Sequence, residues 1–255
     1  MIGLPRTPAT NAARIQSVVG PLAVACRGLP VFLVDGDRTL TPDDTSRTFL
    51  SRAGLDPLVI KRRFQRDGYV FDAFRFHAEM HIALGEPAFA ALAPAVAADT
   101  PTHPGALDFL RAATALGRVF VVSAGIPRIW RSLLDRNRLG EVGVIGGVDP
   151  RNPYVFGRIE KAQVARLFLS HASRLIGLGD SEVDADMLRL SDHAVMVVNH
   201  HQNADLVPHL TQHPSLWQVV PSGSPHKGIP ELAFSAVAGL SERAPLLYAE
   251  ASLCP

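Results

Sequence analysis

Four short runs of consecutive apolar residues punctuate the chain: Val31-Phe32-Leu33-Val34, Val119-Phe120-Val121-Val122, Leu175-Ile176-Gly177-Leu178 and Ala194-Val195-Met196-Val197-Val198. None alternates apolar with polar residues as a half-exposed strand would, so each is predicted to be a strand covered on both faces. Between them, apolar residues recur at three- and four-residue spacing. This predicts helices over 106–116, closed by Gly117, over 127–136 and over 161–170. Strands alternating with helices imply an α/β fold with a doubly wound parallel sheet and helices on both faces.

The rhythm changes over 42–98. Phe49, Leu50, Leu58, Ile60, Phe64, Phe71, Phe74, Met80, Ile82 and Leu84 keep mostly helical spacings, with breaks at Gly54, Asp67-Gly68 and Gly85 and no strand-like run. A small helical cap inserted after the first strand is the expected organisation: 1–29 as an N-terminal helical extension, 30–41 and 99–255 as the core, and 42–98 as the cap. The stretch from Gly140 to Gly157 is rich in Gly and Pro with short β-like pieces, and the tail is expected to add an edge strand near Val219 and a helix near 231–240.

Composition narrows the function classes. With 255 residues, 47% hydrophobic and 19% charged, the chain can bury a sizeable core. A net charge of +1 is far from the basic excess of a protein that binds nucleic acid by neutralising phosphates. The only two cysteines, Cys26 and Cys254, form neither a metal cluster nor a disulfide framework, and a cytoplasmic location is expected. Residues 18–26 end in a small residue before Cys26, faintly like a lipoprotein signal, but no basic cluster precedes them and a helix packed on the core is the preferred reading. No apolar run reaches the ~18 residues of a membrane span.

Chemistry collects where the strands end, the rim at which open parallel sheets bind ligands. The first strand leaves through Asp35-Gly36-Asp37, the second through Ser123 and the third through Gly179-Asp180. Two carboxylates at i and i+2 repel each other unless a cation stands nearby. With Asp180 they make a hard, oxygen-only donor set that suits Mg²⁺. Ser123 offers a hydroxyl and Lys161 a mobile point charge, both suited to a phosphoryl group. Only three of the 25 positive residues are lysines, which makes Lys161 informative, although Arg158 is a rival three positions earlier. Strand-end Asp and Ser residues also cap helices, and Lys161 could be a solvated helix residue; the histidines, including His77, His81, His200 and His201, carry no assigned role.

Asp35-Gly36-Asp37-Arg38-Thr39-Leu40 resembles the first motif, DxDxT, of the haloacid dehalogenase-like (HAD) superfamily. Ser123 matches the second motif, Lys161 the third and Gly179-Asp180-Ser181-Glu182-Val183-Asp184 the fourth, in the right order. The long gap between the first two motifs, and Val121-Val122-Ser123-Ala124-Gly125, resemble the phosphoserine phosphatase-like branch. The resemblance implies a Rossmann-like core and a Mg²⁺-dependent phosphatase acting on a small phosphorylated metabolite, with no nucleic-acid or membrane partner. Asp35 would be the nucleophile and Asp37 the general acid and base. Ser123, Ala124 and Lys161 would bind the phosphoryl group, Asp35, Asp37 (through its backbone carbonyl) and Asp180 the metal, and Thr39 and Asp184 would support them.

For the leaving group, the resemblance suggests Asp44, nine positions after Asp35, and Arg75 in the cap. Asp44 could equally be an N-terminal helix residue favoured by the helix dipole. Arg38, Ala124 and Val183 depart from the branch pattern of a small residue, Gly and Asn, which implies an altered pocket. Alternatives are a phosphotransferase or phosphomutase using the same aspartyl-phosphate, or a phospholigand-binding protein without turnover. Asp37 argues against dehalogenation, because the dehalogenating relatives lack that carboxylate.

Overall fold

The computed structural model describes residues 3–199 and 203–243; His200, His201 and Cys254 lie outside them. Its elements in order are α1 (Pro8–Ala25), β1 (Pro30–Val34), α2 (Thr45–Arg52), α3 (Leu58–Asp67), α4 (Phe71–Ile82), α5 (Gly85–Asp99), α6 (Ala106–Leu116), β2 (Arg118–Val122), α7 (Pro127–Arg136), β3 (Gly143–Ile145), α8 (Arg158–Leu169), β4 (Arg174–Gly179), α9 (Ala185–Leu190), β5 (His193–Val197), α10 (Val207–Leu210), β6 (Leu216–Val219) and α11 (Phe234–Val237). The six strands form one parallel sheet in the order β3-β2-β1-β4-β5-β6. This is the α/β, Rossmann-like architecture that the alternation of elements predicts.

The central strands are apolar throughout because both faces are covered. Phe32 and Val34 point into one apolar layer with Phe89, Phe109 and Trp130, while Val31 and Leu33 point into the other with Ile15, Phe120 and Phe168. The N-terminal helix belongs to that second layer, with Ile15 and Val19 fully buried. Asn11 ties it down by donating to the Val155 carbonyl at 3.0 Å and accepting from the Val155 amide at 2.8 Å.

The four helices between β1 and α6 behave in two ways. Phe49 of α2 and Phe89 of α5, whose rings lie 5.0 Å apart, are buried in the same cluster as the strand side chains. In contrast, α3 and α4 gather an aromatic group of Phe64, Phe71 and Phe74 that meets the core at Ala124, Val155 and Val183. A Cβ on Gly157 would fall 2.2 Å from the Phe74 ring, so this approach of α4 to the start of α8 requires glycine. Among the described residues, no single helix is long and apolar enough to cross a membrane.

Three local expectations are revised. The helix carrying Lys161 starts earlier, at Arg158, because Glu160 reaches back to accept from the Gly157 amide at 3.0 Å and caps it there. The Gly- and Pro-rich stretch supplies a single short strand, β3. The helix expected over 231–240 begins only at Phe234, because Glu231 bridges to Gln218 on β6 and keeps the chain extended.

Candidate active site

Strand register brings the expected residues to one rim. Val34 pairs with Val121 on one side and Leu178 on the other, so the chain exits β1, β2 and β4 at nearly the same height. Two hydrogen bonds prolong the ladder into the loops: the Asp35 amide donates to the Leu178 carbonyl and the Ser123 amide to the Ile145 carbonyl, both at 2.9 Å. Asp35 and Ser123 are thereby fixed by backbone as well as by side-chain contacts.

At the floor, the Lys161 ammonium stands between two carboxylates. It donates to Asp35 Oδ1 and, at 2.6 Å, to Asp184 Oδ1. Burial alone would depress the Lys161 pKa, but Asp184 and Asp35 outweigh it and hold the group above its usual value. Thr39 Oγ1 donates to Asp35 Oδ2 at 3.2 Å. The second oxygen of Asp184 accepts from the Asp180 and Ser181 amides and the Ser181 hydroxyl, each at 3.2 Å. Asp184 is thus a fully buried anchor that holds both Lys161 and the loop after β4.

Asp37 stands apart from that network. Its Oδ1 accepts from the Thr45 amide at 2.7 Å, at the start of α2. Its Oδ2 faces the turn after β2, where a Cβ on Gly125 would lie 2.9 Å from it, 2.5 Å from Ser46 Oγ and 3.2 Å from Ser123 Oγ. Only a glycine leaves that space open, and Ser123 Oγ accepts from the Gly125 amide at 3.0 Å. Burial, then the charge of Asp44, pushes the Asp37 carboxyl up to about 7. Asp35 is pushed up to about 6, by burial first and Asp184 second, against the opposing pull of Lys161.

A family model described as haloacid dehalogenase-like hydrolase matches residues 32–189, the stretch that carries these rim residues. The chain belongs to that family. No curated protein matches this HAD-like hydrolase in a sequence comparison. Solved structures share its fold. One, from Bordetella pertussis Tohama I, is described as a protein with unknown function; it is 16% identical with a TM-score of 0.58, over 81% of this chain and 99% of that one. A HAD family hydrolase from Salmonella enterica serovar Typhi is 16% identical with a TM-score of 0.51, over 83% and 84% of the two chains. A phosphoserine phosphohydrolase-like protein from Francisella tularensis is 11% identical with a TM-score of 0.52, over 74% and 94%. At these identities the likeness concerns the fold.

The HAD-like site has a donor set that fits a divalent cation. Asp35, Asp180 and Asp184 each offer a carboxylate oxygen within 4.8 Å of the others, all three buried. Burial raises the Asp180 pKa well above the carboxylate range, with Arg38 opposing and Asp35 and Asp184 adding to the rise, so the described arrangement favours taking up a proton or a cation. Hard oxygen donors select Mg²⁺-like ions. Asp184 is already committed to Lys161 and three donors, which leaves Asp35 and Asp180 as the freer ligands. The Asp37 side chain is not part of this triad.

Other expected residues find different partners. Arg158 does not rival Lys161: its guanidinium goes to Glu182 at 2.6 Å and Asp186 at 2.8 Å. Asp44 caps α2, accepting from the Arg47 amide at 3.0 Å, and also stands close enough to raise Asp37. Arg75 pairs with Glu79 on its own helix at 2.8 Å, not with the floor. Ala124 packs against the aromatic group of α3 and α4. Two asparagines escaped the sequence reading. Asn199 donates to Asp180 Oδ2 at 2.9 Å, and Asn203 donates to the Asp180 carbonyl at 2.6 Å and the Val197 carbonyl at 2.9 Å. The signal for Asn199 was present: it directly follows the apolar run of β5, whose end lies at the same rim as Asp35 and Asp180.

Proposed function

We propose that this hydrolase is a Mg²⁺-dependent phosphatase that cleaves a small phosphomonoester through an aspartyl-phosphate on Asp35. The observation that carries the reading is the unequal setting of two carboxylates one residue apart. Asp35 is fixed by Lys161 and Thr39, whereas Asp37 is free of both and turns one oxygen toward the Ser123–Gly125 turn. Two carboxyl groups whose environments separate them can take different roles.

Asp35, aligned by Thr39 and Lys161, attacks phosphorus and displaces the alcohol, so that one hard displacement becomes two easier ones. Asp37, poised near neutral pH, gives its proton to the departing oxygen and then takes one from the water that cleaves the acyl phosphate. The Ser123 hydroxyl and the Lys161 ammonium hold the phosphoryl oxygens, and Asp184 keeps Lys161 in place. When bound, the cation at Asp35 and Asp180 would screen the repulsion between nucleophile and phosphate and offset the charge that develops.

The test is hydrolysis of p-nitrophenyl phosphate with and without Mg²⁺ by the parent and by Asp35→Asn. A loss of at least ~10³-fold in kcat is expected, because an amide oxygen is a far weaker nucleophile than the carboxylate that Thr39 and Lys161 align. Rapid quenching of the parent during turnover should give a peptide containing Asp35 that carries one added phosphoryl group by mass. Hydrolysis by Asp35→Asn at the parent rate would sink the reading.

A further inference from the structure

Among the described residues, the site holds two cations at different depths. The Lys161 side chain is 2% exposed and engaged by two carboxylates, whereas the Arg38 side chain is 36% exposed. Arg38 reaches back only as far as Asp180, with Nε 3.5 Å from Oδ2, and that Nε has no hydrogen-bond partner among the described residues. Its backbone is left-handed, with φ 65°, a conformation uncommon for a bulky side chain. A residue held in such a conformation beside a reactive carboxylate points to a use for its side chain. Tyr69, on the connection from α3 to α4 and 40% exposed, lies within electrostatic reach of Arg38 and Asp180, so Arg38 stands where the cap meets the core. A deep cation serves the group that reacts. A cation at the mouth serves what protrudes from it, which in phosphomonoester cleavage is the leaving alcohol.

We infer that Arg38 is a specificity-determining residue that pairs with a second anionic group, a carboxylate or a second phosphate, on the leaving alcohol; this rests on the phosphatase reading above. The surrounding carboxylates Asp180, Asp44, Asp35 and Asp37 make the local field unfavourable for an extra anion. Recognition therefore depends on direct contact with the planar guanidinium fork, which matches a carboxylate or phosphate face-on.

Binding of uncleavable probes separates this from a role in neutralising Asp180. Benzylphosphonate, 4-carboxybenzylphosphonate and 1,4-phenylenebis(methylphosphonate) are titrated calorimetrically into the Mg²⁺-loaded parent, Arg38→Gly and Arg38→Lys. Glycine suits the left-handed backbone, so Arg38→Gly is expected to fold, which circular dichroism checks. The parent should bind one of the two probes that carry a second anionic group about tenfold more tightly than benzylphosphonate, a gain ordinary for one charge-assisted pair. That ratio should fall to near one in Arg38→Gly and stay at a few-fold in Arg38→Lys. The probe with the larger ratio identifies the second group. Equal binding of all three probes by the parent, or a ratio that survives in Arg38→Gly, overturns the assignment while leaving the phosphatase reading intact. Failure of the parent to bind benzylphosphonate at all would overturn the phosphatase reading, and the Arg38 assignment with it.

Discussion

The floor of the site and its mouth are built by opposite means. On the floor, Asp35, Lys161, Asp180 and Asp184 are buried, and each is held by at least two partners, one of them distant in the chain. At the mouth the half-exposed Arg38 meets Asp180 at 3.5 Å, and around α3 and α4 charged residues pair with near neighbours in the chain: Arg75 with Glu79, Arg63 with Asp67, Arg62 with Asp56. The floor spends buried charge to fix geometry, since an unpaired ion there is costly. The pairs of Arg75 and Arg62 lie nearer to water, where ion pairs contribute at most ~1 kcal/mol, and so this surface can change without loss of the fold. A scaffold of this kind can keep one chemistry and alter its substrate.

The sharpest test of that contrast is Lys161→Ala. Removing the ammonium leaves Asp35 and Asp184 buried and facing one another without their shared counter-charge. Breaking a buried ion pair in this way costs ~3–5 kcal/mol. Urea unfolding of the metal-free protein should show a loss of that size, along with loss of phosphatase activity. Arg62→Ala on the cap, paired only with exposed Asp56, should change stability by less than ~1 kcal/mol. Equal losses from the two substitutions would break the comparison.

The same contrast decides what could be read from the sequence. The floor was legible because Asp35 and Asp180 follow directly on apolar runs and Lys161 stands in the first turn of a helix, and strand register then sets the heights of the two carboxylates. Asn203 was not, since it acts through carbonyls at Asp180 and Val197 from a left-handed position after β5, which no local pattern marks. The contacts of the cap were also hidden. Whether Arg75 faces the cleft or its own helix depends on how α4 rotates against the core, and that rotation follows from the packing of Phe64 and Phe74 on Val155 and Val183. Helical spacing alone gives the apolar face but not its partner.

Titration offers a second, smaller separation. Burial, as the leading cause in both, holds Asp35 up at about 6 and Asp37 at about 7, above the ~4 of a free carboxylate. The folded protein therefore keeps protons that the unfolded chain releases. The stabilisation is complete below pH ~4 and is lost as the pH climbs through 6 and 7. Two carboxylates at the ends of α3 behave oppositely: the Leu58 amide holds Asp56 down and Arg66 holds Asp67 down, so what they contribute is lost only as the pH falls below ~4. The Tm of the metal-free protein should rise as the pH is lowered from 8 to 5, and Asp37→Asn should flatten the upper part of that rise. A Tm that falls steadily over this range in the parent would place the dominant titration outside the floor.

The smallest expected effect is at Arg75. Its guanidinium lies 2.8 Å from Glu79 one helical turn away, with the two side chains 33% and 49% exposed. Pairs at this spacing contribute ~0.3–0.5 kcal/mol and are screened by salt. Arg75→Ala should therefore shift the unfolding midpoint only slightly, and less in 1 M salt, while leaving KM for any phosphomonoester within about twofold of the parent, the range expected when no substrate contact is lost. A tenfold rise in KM with kcat unchanged would mean that Arg75 leaves Glu79 to hold the bound substrate, and would extend the recognition surface from the mouth onto α4.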